Sequence, residues 1–375
     1  MTALKTPVPL RKALVGVDPY GAPEIDGVVR LNVNENPFPP SPALRTALAA
    51  AVTAALADVN RYPDRDAVAL RADLADYLDA GLTADNVWAA NGSNEVMTHL
   101  ALAFGGPRRK LATFTPTYSM YPQYARDTMT GFVTAPRHDD YTVDAGLLKK
   151  LWTGAHPDIV IITTPNNPTG TPTPLDVIEA ACEMAPWLVV VDEAYQEFTA
   201  DQADSALRLL PDHPNLVVTR TMSKAFALAG VRLGYLAAAP SIVDACKIVR
   251  LPYHLGVQTQ ALARAALAHS QEPLQHVAQL REACQSTQSW LRTLGLTAPD
   301  SQANFTLFGP FTDRHAIWQE LLDRGVLVRE VGPDGFLRVS MGTPAEMILF
   351  REALVDVLDS RRDGRAARPK GKGKQ

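Results

Sequence analysis

The 375-residue sequence has no long apolar run. Nowhere do about 18 consecutive apolar residues occur, so no membrane-spanning helix is expected. Cysteine is scarce. Cys182, Cys246 and Cys284 are widely spaced and odd in number, which speaks against a disulfide framework or a metal site and for reduced structural thiols. The stretch Met1–Leu10 has no apolar core of the kind a secretory leader needs, so a cytoplasmic location is expected. The first 360 residues contain no internal repeat and no low-complexity linker. Net charge is only −4, and nothing in its distribution over the body of the chain suggests a nucleic-acid surface. It is uneven in one place. Residues 361–375 carry seven Lys/Arg against one Asp, a net of +6, which leaves −10 for the other 360. That last stretch has almost nothing to bury and reads as a disordered basic tail.

What remains is ordinary globular composition, 46% apolar and 20% charged, at a length that suits two packed domains. Short apolar runs alternate with helical patterns, the rhythm of βαβ units around a largely parallel sheet. Strands are predicted at 110–114, 158–163, 188–192, 216–220 and 233–239, with an apolar run at 87–90. Leu70, Leu74, Tyr77 and Leu78 share one face at helical spacing within 66–80. A long helix over 272–293 joins this region to strands at 304–308, 326–329 and 336–340 and helices at 313–324 and 344–359. Seven prolines in the first 40 residues argue for an extended arm.

Chemistry concentrates in a few runs, each just after a predicted strand. In Arg220-Thr-Met-Ser-Lys-Ala-Phe-Ala-Leu-Ala-Gly-Val-Arg232, a lysine sits beside a serine with an arginine eight residues on. Lys224 can condense with an aldehyde cofactor and later move a proton. Ser223 and Arg232 can reach that cofactor's phosphate, the arginine through two parallel hydrogen bonds. Gly92-Ser-Asn-Glu95 opens a helix, whose free backbone N–H groups attract an anion, so Ser93 and Asn94 are candidate phosphate ligands. Thr115-Pro-Thr-Tyr118 offers an aromatic to stack on a flat ring. Asn167, in Pro165–Gly170, can donate to a phenolic oxygen. Asp192 ends a strongly apolar strand, and a buried aspartate needs a partner. A pyridinium N–H would be one, with Tyr195 three residues on for the ring oxygen. Each run alone also reads as a cap, a turn or packing. Together they have one economical explanation, pyridoxal 5'-phosphate.

These residues, with Leu31–Pro37, Arg61–Asp64, Val249–Leu255 and Phe336–Gly342, make the chain resemble the fold-type I, aspartate-aminotransferase-like pyridoxal-phosphate enzymes. Within them it is most similar to the branch acting on histidinol phosphate. The resemblance spans about residues 15–359. It implies an α/β fold: an N-terminal arm and start of the small domain (1–40), a large cofactor domain (41–270) with a mainly parallel seven-stranded sheet, a smaller α/β C-terminal domain (271–360), and the tail (361–375). It implies Lys224, Asp192 and Tyr195 as the catalytic set. Ser93, Asn94, Tyr118, Asn167, Ser223 and Arg232 would hold the cofactor with them, and Tyr62 would reach the partner subunit's cofactor phosphate in a homodimer. Many relatives have Asp at the position of Asn94, a change of little weight if the backbone N–H is the ligand.

The same resemblance implies Tyr20, Asn36, Arg329 and Arg338 as substrate contacts. Arg329 and Arg338 would meet the substrate phosphate and the carboxylates of 2-oxoglutarate, although Arg329 also reads as a surface ion pair with Glu330. The implied reaction is transamination between histidinol phosphate and 2-oxoglutarate, giving imidazole-acetol phosphate and glutamate. The rival is an aromatic (phenylalanine) aminotransferase, and the runs Arg61–Asp66 and Arg250–Leu255 look more like the histidine-pathway branch. Tyr253 or His254 is a further candidate for the imidazole, with packing as an equal alternative.

Overall fold

A computed structural model describes residues 9–184, 186–201 and 204–362. The first eight residues of the expected arm, and the expected tail from residue 363 on, lie outside the described residues.

The main sheet has seven strands: β2 (Val87–Ala90), β3 (Lys110–Thr115), β4 (Gly131–Pro136), β5 (Ile159–Thr163), β6 (Leu188–Asp192), β7 (Leu216–Thr221) and β8 (Gly234–Ala238). Their order is β2-β8-β7-β6-β5-β3-β4, with only β8 antiparallel to its neighbours. Strands β5 to β8 are buried along their whole length, because helices cover both faces. This is why β5, β6 and the first half of β7 read as continuous Val/Ile/Leu runs rather than alternations. One face packs Trp88, Leu100, Ile161 and Leu236, and the other Phe114, Leu148, Trp187 and Val191. The covering helices are α2 (Val68–Leu78), α3 (Ser93–Phe104), α4 (Tyr121–Asp127), α5 (Ala145–Ala155), α6 (Leu175–Met184), α7 (Pro240–Val249) and α8 (Val257–Ala268), with α1 (Pro42–Ala55) packed on α8. Strand β4 was not anticipated from sequence. It is an edge strand, half exposed, opened by Gly131 and closed by Pro136, so it has no apolar run to betray it, and an edge tolerates the proline.

The C-terminal segment begins with the 23-residue helix α9 (Gln271–Thr293). Strands β9 (Phe305–Phe308) and β11 (Leu337–Ser340) pair antiparallel, flanked by α10 (Arg314–Asp323) and α11 (Pro344–Arg362). The arm is largely without helix or strand and packs into this segment. Its β1 (Val29–Arg30) pairs in parallel with β10 (Val326–Leu327), and Leu31 continues the ladder, donating to the Leu327 carbonyl at 2.8 Å and accepting from Ser340 N–H at 2.9 Å. The arm thus leaves this ladder beside the C-terminal edge of the main sheet, where residues 32–35 form one wall of a cavity. Among the described residues no helix is long and apolar enough to cross a membrane, and all three cysteines are buried free thiols.

Candidate active site

Strands β3, β5, β6 and β7 all end at one edge of the sheet, where a crevice forms beyond their carboxyl ends. A cavity of about 440 Å³ lies there. Twelve of the fourteen side chains expected at the site line it: Tyr20, Ser93, Asn94, Tyr118, Asn167, Asp192, Tyr195, Ser223, Lys224, Arg232, Arg329 and Arg338. The exceptions are Tyr62 and Asn36.

Lys224 follows β7 on a tight turn. Its Nζ donates to the Val33 carbonyl at 2.9 Å. Burial pulls its amine down from 10.5 to about 8, and Arg338 and Arg232 push the same way while Glu35 opposes them. A nucleophilic, proton-accepting amine near neutral pH results.

Asp192 ends β6, fully buried. Oδ2 accepts from the Tyr121 hydroxyl at 2.7 Å, and Oδ1 from Ala194 N–H and the Thr219 hydroxyl, both at 3.3 Å. Burial raises its pKa, and these three donors hold it down. All three are neutral, so this carboxylate would gain from a cationic N–H. Tyr195 accepts from Asn34 Nδ2 at 2.9 Å and Asn167 Nδ2 at 3.4 Å, which leaves its own O–H to donate to a phenolic oxygen. A protonated pyridine ring carrying a phenolic oxygen matches this donor and acceptor set.

The phosphate end is equally specific in shape. Gly92 caps α3 with φ +81°, and a Cβ there would come within 2.6 Å of Arg232 Nη2. A Cβ on Gly234 would lie 2.0 Å from Ser93 N. Glycine is therefore required at both positions for the arginine to lie over the helix start. Arg232 Nη1 donates to the Ala229 carbonyl at 3.1 Å and to Ser223 Oγ at 3.4 Å, and among the described residues it makes no ion pair. Asn94 Oδ1 accepts from the Tyr124 hydroxyl at 2.8 Å and from Tyr118 at 3.4 Å. Its side-chain oxygen is thereby occupied, and the anion-binding groups left at the helix start are backbone N–H. The Tyr118 ring is held edge-on by Tyr121, with centroids 5.6 Å apart.

At the opposite end, Arg329 and Arg338 face each other across a two-residue bridge, each N–H donating to the other's carbonyl at 2.9 Å. Arg338 is buried. Its Nη2 donates to the Asn32 carbonyl at 2.8 Å and its Nη1 to Asn167 Oδ1, while Nε has no partner. Burial lowers its pKa to about 10, and Arg329 adds to the effect. Arg329 donates to the Gly21 carbonyl at 3.3 Å. The alternative of an ion pair with Glu330 does not hold. Glu330 is taken by Arg314 at 3.3 Å and His315 at 3.0 Å. Two arginines without carboxylate partners among the described residues are a receptor for an anion. Tyr20, 45% exposed, stands at the mouth with its hydroxyl 3.4 Å from Ser119 Oγ.

Tyr62 is 78% exposed, outside this cavity, and stacked on Tyr253 at 4.3 Å. Asn36 holds the arm against the lysine turn instead of lining the cavity. Its Nδ2 donates to the Ala225 carbonyl at 3.2 Å, and its Oδ1 accepts from Phe38 N–H at 3.1 Å. His254 stacks on Trp88 at 5.1 Å and bonds the Ala89 carbonyl. Neither His254 nor Tyr253 lines the cavity. Two residues beyond the expected set are central, Tyr121 and Asn34. Asn34 sits at φ +57° within the Leu31–Pro37 run, and its role depends on the arm's path. Tyr121 opens α4 three residues after Tyr118, which lies in the loop before the helix, and the two rings meet edge to face.

Comparison with known proteins agrees with this geometry. The model of the family described as aminotransferase class I and II matches residues 26–354. The chain belongs to the class I and II aminotransferases. It is 54% identical to the histidinol-phosphate aminotransferase of Thermobifida fusca, over 93% of this chain and 95% of that protein. It is 47% identical to that of Corynebacterium glutamicum, over 94% and 97%. The crystal structure of the Sinorhizobium meliloti histidinol-phosphate aminotransferase in complex with pyridoxal-5'-phosphate superimposes with a TM-score of 0.84 at 25% identity, covering 95% of this chain and 99% of that one. A tetra mutant of Thermus thermophilus aspartate aminotransferase shares the fold, with a TM-score of 0.77 at 22% identity over 92% and 98%. The fold of this aminotransferase is thus the aspartate-aminotransferase-like, fold-type I architecture.

Proposed function

We propose that this aminotransferase uses pyridoxal 5'-phosphate to exchange an amino group between L-histidinol phosphate and 2-oxoglutarate, giving imidazole-acetol phosphate and L-glutamate, a step of histidine biosynthesis. One observation carries the substrate assignment. Arg329 and Arg338, neither in an ion pair among the described residues, stand side by side across the cavity from the phosphate cup, with Tyr20 at the mouth. A phosphate monoester with nearly two negative charges uses both cations, whereas phenylalanine would bring a single carboxylate.

In this reading Ser223, Arg232 and the backbone N–H groups at the start of α3 would hold the cofactor phosphate, Asp192 the ring nitrogen, Asn167 and Tyr195 the ring oxygen, and Tyr118 would offer its ring for stacking. When bound, pyridoxal phosphate supplies an aldehyde carbon for the substrate nitrogen and a ring that withdraws electrons from the adjacent carbon. The protein's share is positioning and proton transfer. Asp192, which accepts from Tyr121 and Thr219, would hold a proton on the ring nitrogen. Lys224 Nζ takes the proton from the substrate α-carbon and returns it one position along, as base and then acid. Arg338 and Arg329 fix the anionic group, which sets the α-hydrogen toward Lys224. The amino group is then passed on to 2-oxoglutarate, whose carboxylates use the same arginines.

The deciding experiment is a half-reaction titration of the cofactor-loaded protein, followed by cofactor absorbance. Conversion by histidinol phosphate is expected at far lower concentration than by phenylalanine, and the reverse ranking would make this an aromatic aminotransferase. A cytoplasmic setting belongs to the same proposal, supported by the three buried free thiols.

A homodimer belongs to it as well. Tyr62 lies outside its own cavity, stacked on Tyr253, and Ile248 and Leu251, a few residues before Tyr253 in the chain, are exposed. In the dimer Tyr62 would contact the partner's cofactor phosphate. A mixture of Lys224→Ala and Tyr62→Ala chains tests this, since a mixed dimer has one site with Lys224 from one chain and Tyr62 from the other. Activity above that of either variant alone is expected. No recovery would count against a shared site.

A further inference from the structure

Every basic group in the cavity is explained by an anion or by the cofactor, but one acid is not. Among the described residues, Glu35 is the only carboxylate lining it apart from Asp192. Glu35 is exposed. Among the described residues its carboxylate has neither a hydrogen-bond nor an ion-pair partner. It also borders a second, more polar cavity of about 490 Å³, which shares Ser223, Ala229 and Gly230 with the first.

Its position is fixed by its neighbours on the arm. Val33 is held by Lys224 Nζ, Asn34 by Tyr195 and Ser340, and Asn36 by the Ala225 carbonyl. Asn304 Nδ2 reaches the Glu35 carbonyl oxygen at 3.4 Å. Four anchors on successive residues leave the side chain free while its backbone stays in place. The residue lines the cavity that holds the Lys224 amine, and its charge opposes the pull of the two arginines on that amine.

A fixed negative charge is unfavourable in a site built for a phosphate monoester and a dicarboxylate. It is useful only if one substrate also brings a donor or a cation. The α-amino group is common to both donors and gives no discrimination. The imidazole ring is carried by one donor alone, and it has an N–H in every protonation state.

Resting on the substrate reading above, we propose that Glu35 is a specificity residue: its carboxylate accepts a hydrogen bond from the imidazole N–H of histidinol phosphate and repels the second carboxylate of glutamate and 2-oxoglutarate. Glu35 therefore favours one half-reaction at the expense of the other. Selectivity of this kind is a difference between an attractive and a repulsive contact made by one group.

The test compares Glu35→Gln and Glu35→Ala with the parent protein, both loaded with cofactor. Each half-reaction is followed separately, with histidinol phosphate and with glutamate. Removing a charged hydrogen-bond partner is expected to lower kcat/KM for histidinol phosphate by roughly ten- to hundredfold, mostly through KM. The value for glutamate is expected to rise by a few-fold on the order of a screened charge repulsion. Calorimetric binding of histidinol phosphate to the pyridoxamine-phosphate form, which cannot turn it over, is expected to weaken in parallel. An equal fall in both half-reactions would mean that Glu35 serves the shared amino group or the backbone, and would overturn the proposal. So would unchanged selectivity. If the parent protein itself failed to react with histidinol phosphate, the substrate reading would be at fault instead.

Discussion

Replacing Lys224 by alanine is expected to lower turnover by more than about 10⁴-fold while leaving the fold intact. Two functions disappear together: the covalent hold on the cofactor and the proton transfer at the substrate α-carbon, the latter alone worth about 10²–10⁴-fold. Stability is not expected to suffer. The amine is buried, and its single hydrogen bond goes to the Val33 carbonyl. Burial with two nearby arginines disfavours its charged form, which is why it titrates at about 8. A lysine whose folded pKa is depressed destabilises the fold at low pH, where the unfolded chain is charged freely. Stability from this position therefore rises with pH through about 8 and levels off near the ordinary value of 10.5. In the alanine variant that pH dependence should vanish, giving a Tm equal to or above the parent's at neutral pH. In the parent, the rate of capture of added pyridoxal phosphate should climb through pH 8. Calorimetry and stopped-flow absorbance measure these directly. Retention of more than about one per cent of parental turnover would remove Lys224 from the central role.

Much of this was legible in the sequence for a physical reason. The candidate cofactor residues that line the cavity lie within a few residues of a strand end, so local signals mark them: Gly92 before a helix, Asp192 closing Val189–Val191, Ser223 and Lys224 after Leu216–Thr221. The parallel strands were visible because burial on both faces leaves uninterrupted apolar runs. What local signals miss is long-range. Asn34 meets Tyr195 across 161 residues, and Arg338 meets the Asn32 carbonyl across 306. Both contacts depend on how the arm is laced into β10 and β11, which no spacing reveals. Asn36 illustrates the converse. It belongs to the same run as Asn34, yet its amide is turned to the Ala225 carbonyl, so it supports the lysine turn rather than lining the main cavity. Under the proposed dimer Tyr62 would mark the same limit at the level of assembly, because its functional partner would lie in another chain. Strand β4 escaped for lack of contrast, its edge position leaving it half exposed.

Arg338→Leu is expected to cut kcat/KM by about 10²–10³-fold for histidinol phosphate and for glutamate alike. The argument is one of burial. At 6% exposure this guanidinium is shed of water before any substrate arrives. Two of its donors are spent on Asn167 and the Asn32 carbonyl, leaving Nε without a partner. An anion that reaches it forms a desolvated, charge-assisted contact, and losing one member of such a pair costs about 3–4 kcal/mol. Arg329 is less buried, holds only the Gly21 carbonyl at 3.3 Å, and is better screened by solvent. Arg329→Leu should therefore cost about tenfold, because exposed charges contribute less. Arg338→Lys should not restore the parent. A single ammonium cannot reach Asn167 and the Asn32 carbonyl in the fork geometry and still meet the substrate. A second readout separates direct binding from collapse of the site. Arg338 lowers the Lys224 pKa, so its removal should move the pH midpoint of cofactor capture above 8 even where substrate is absent. Equal losses in the two leucine variants, or an unmoved midpoint, would show that the buried arginine is not the principal anchor. The larger loss at Arg338 together with a raised midpoint would tie anion binding and lysine reactivity to one side chain.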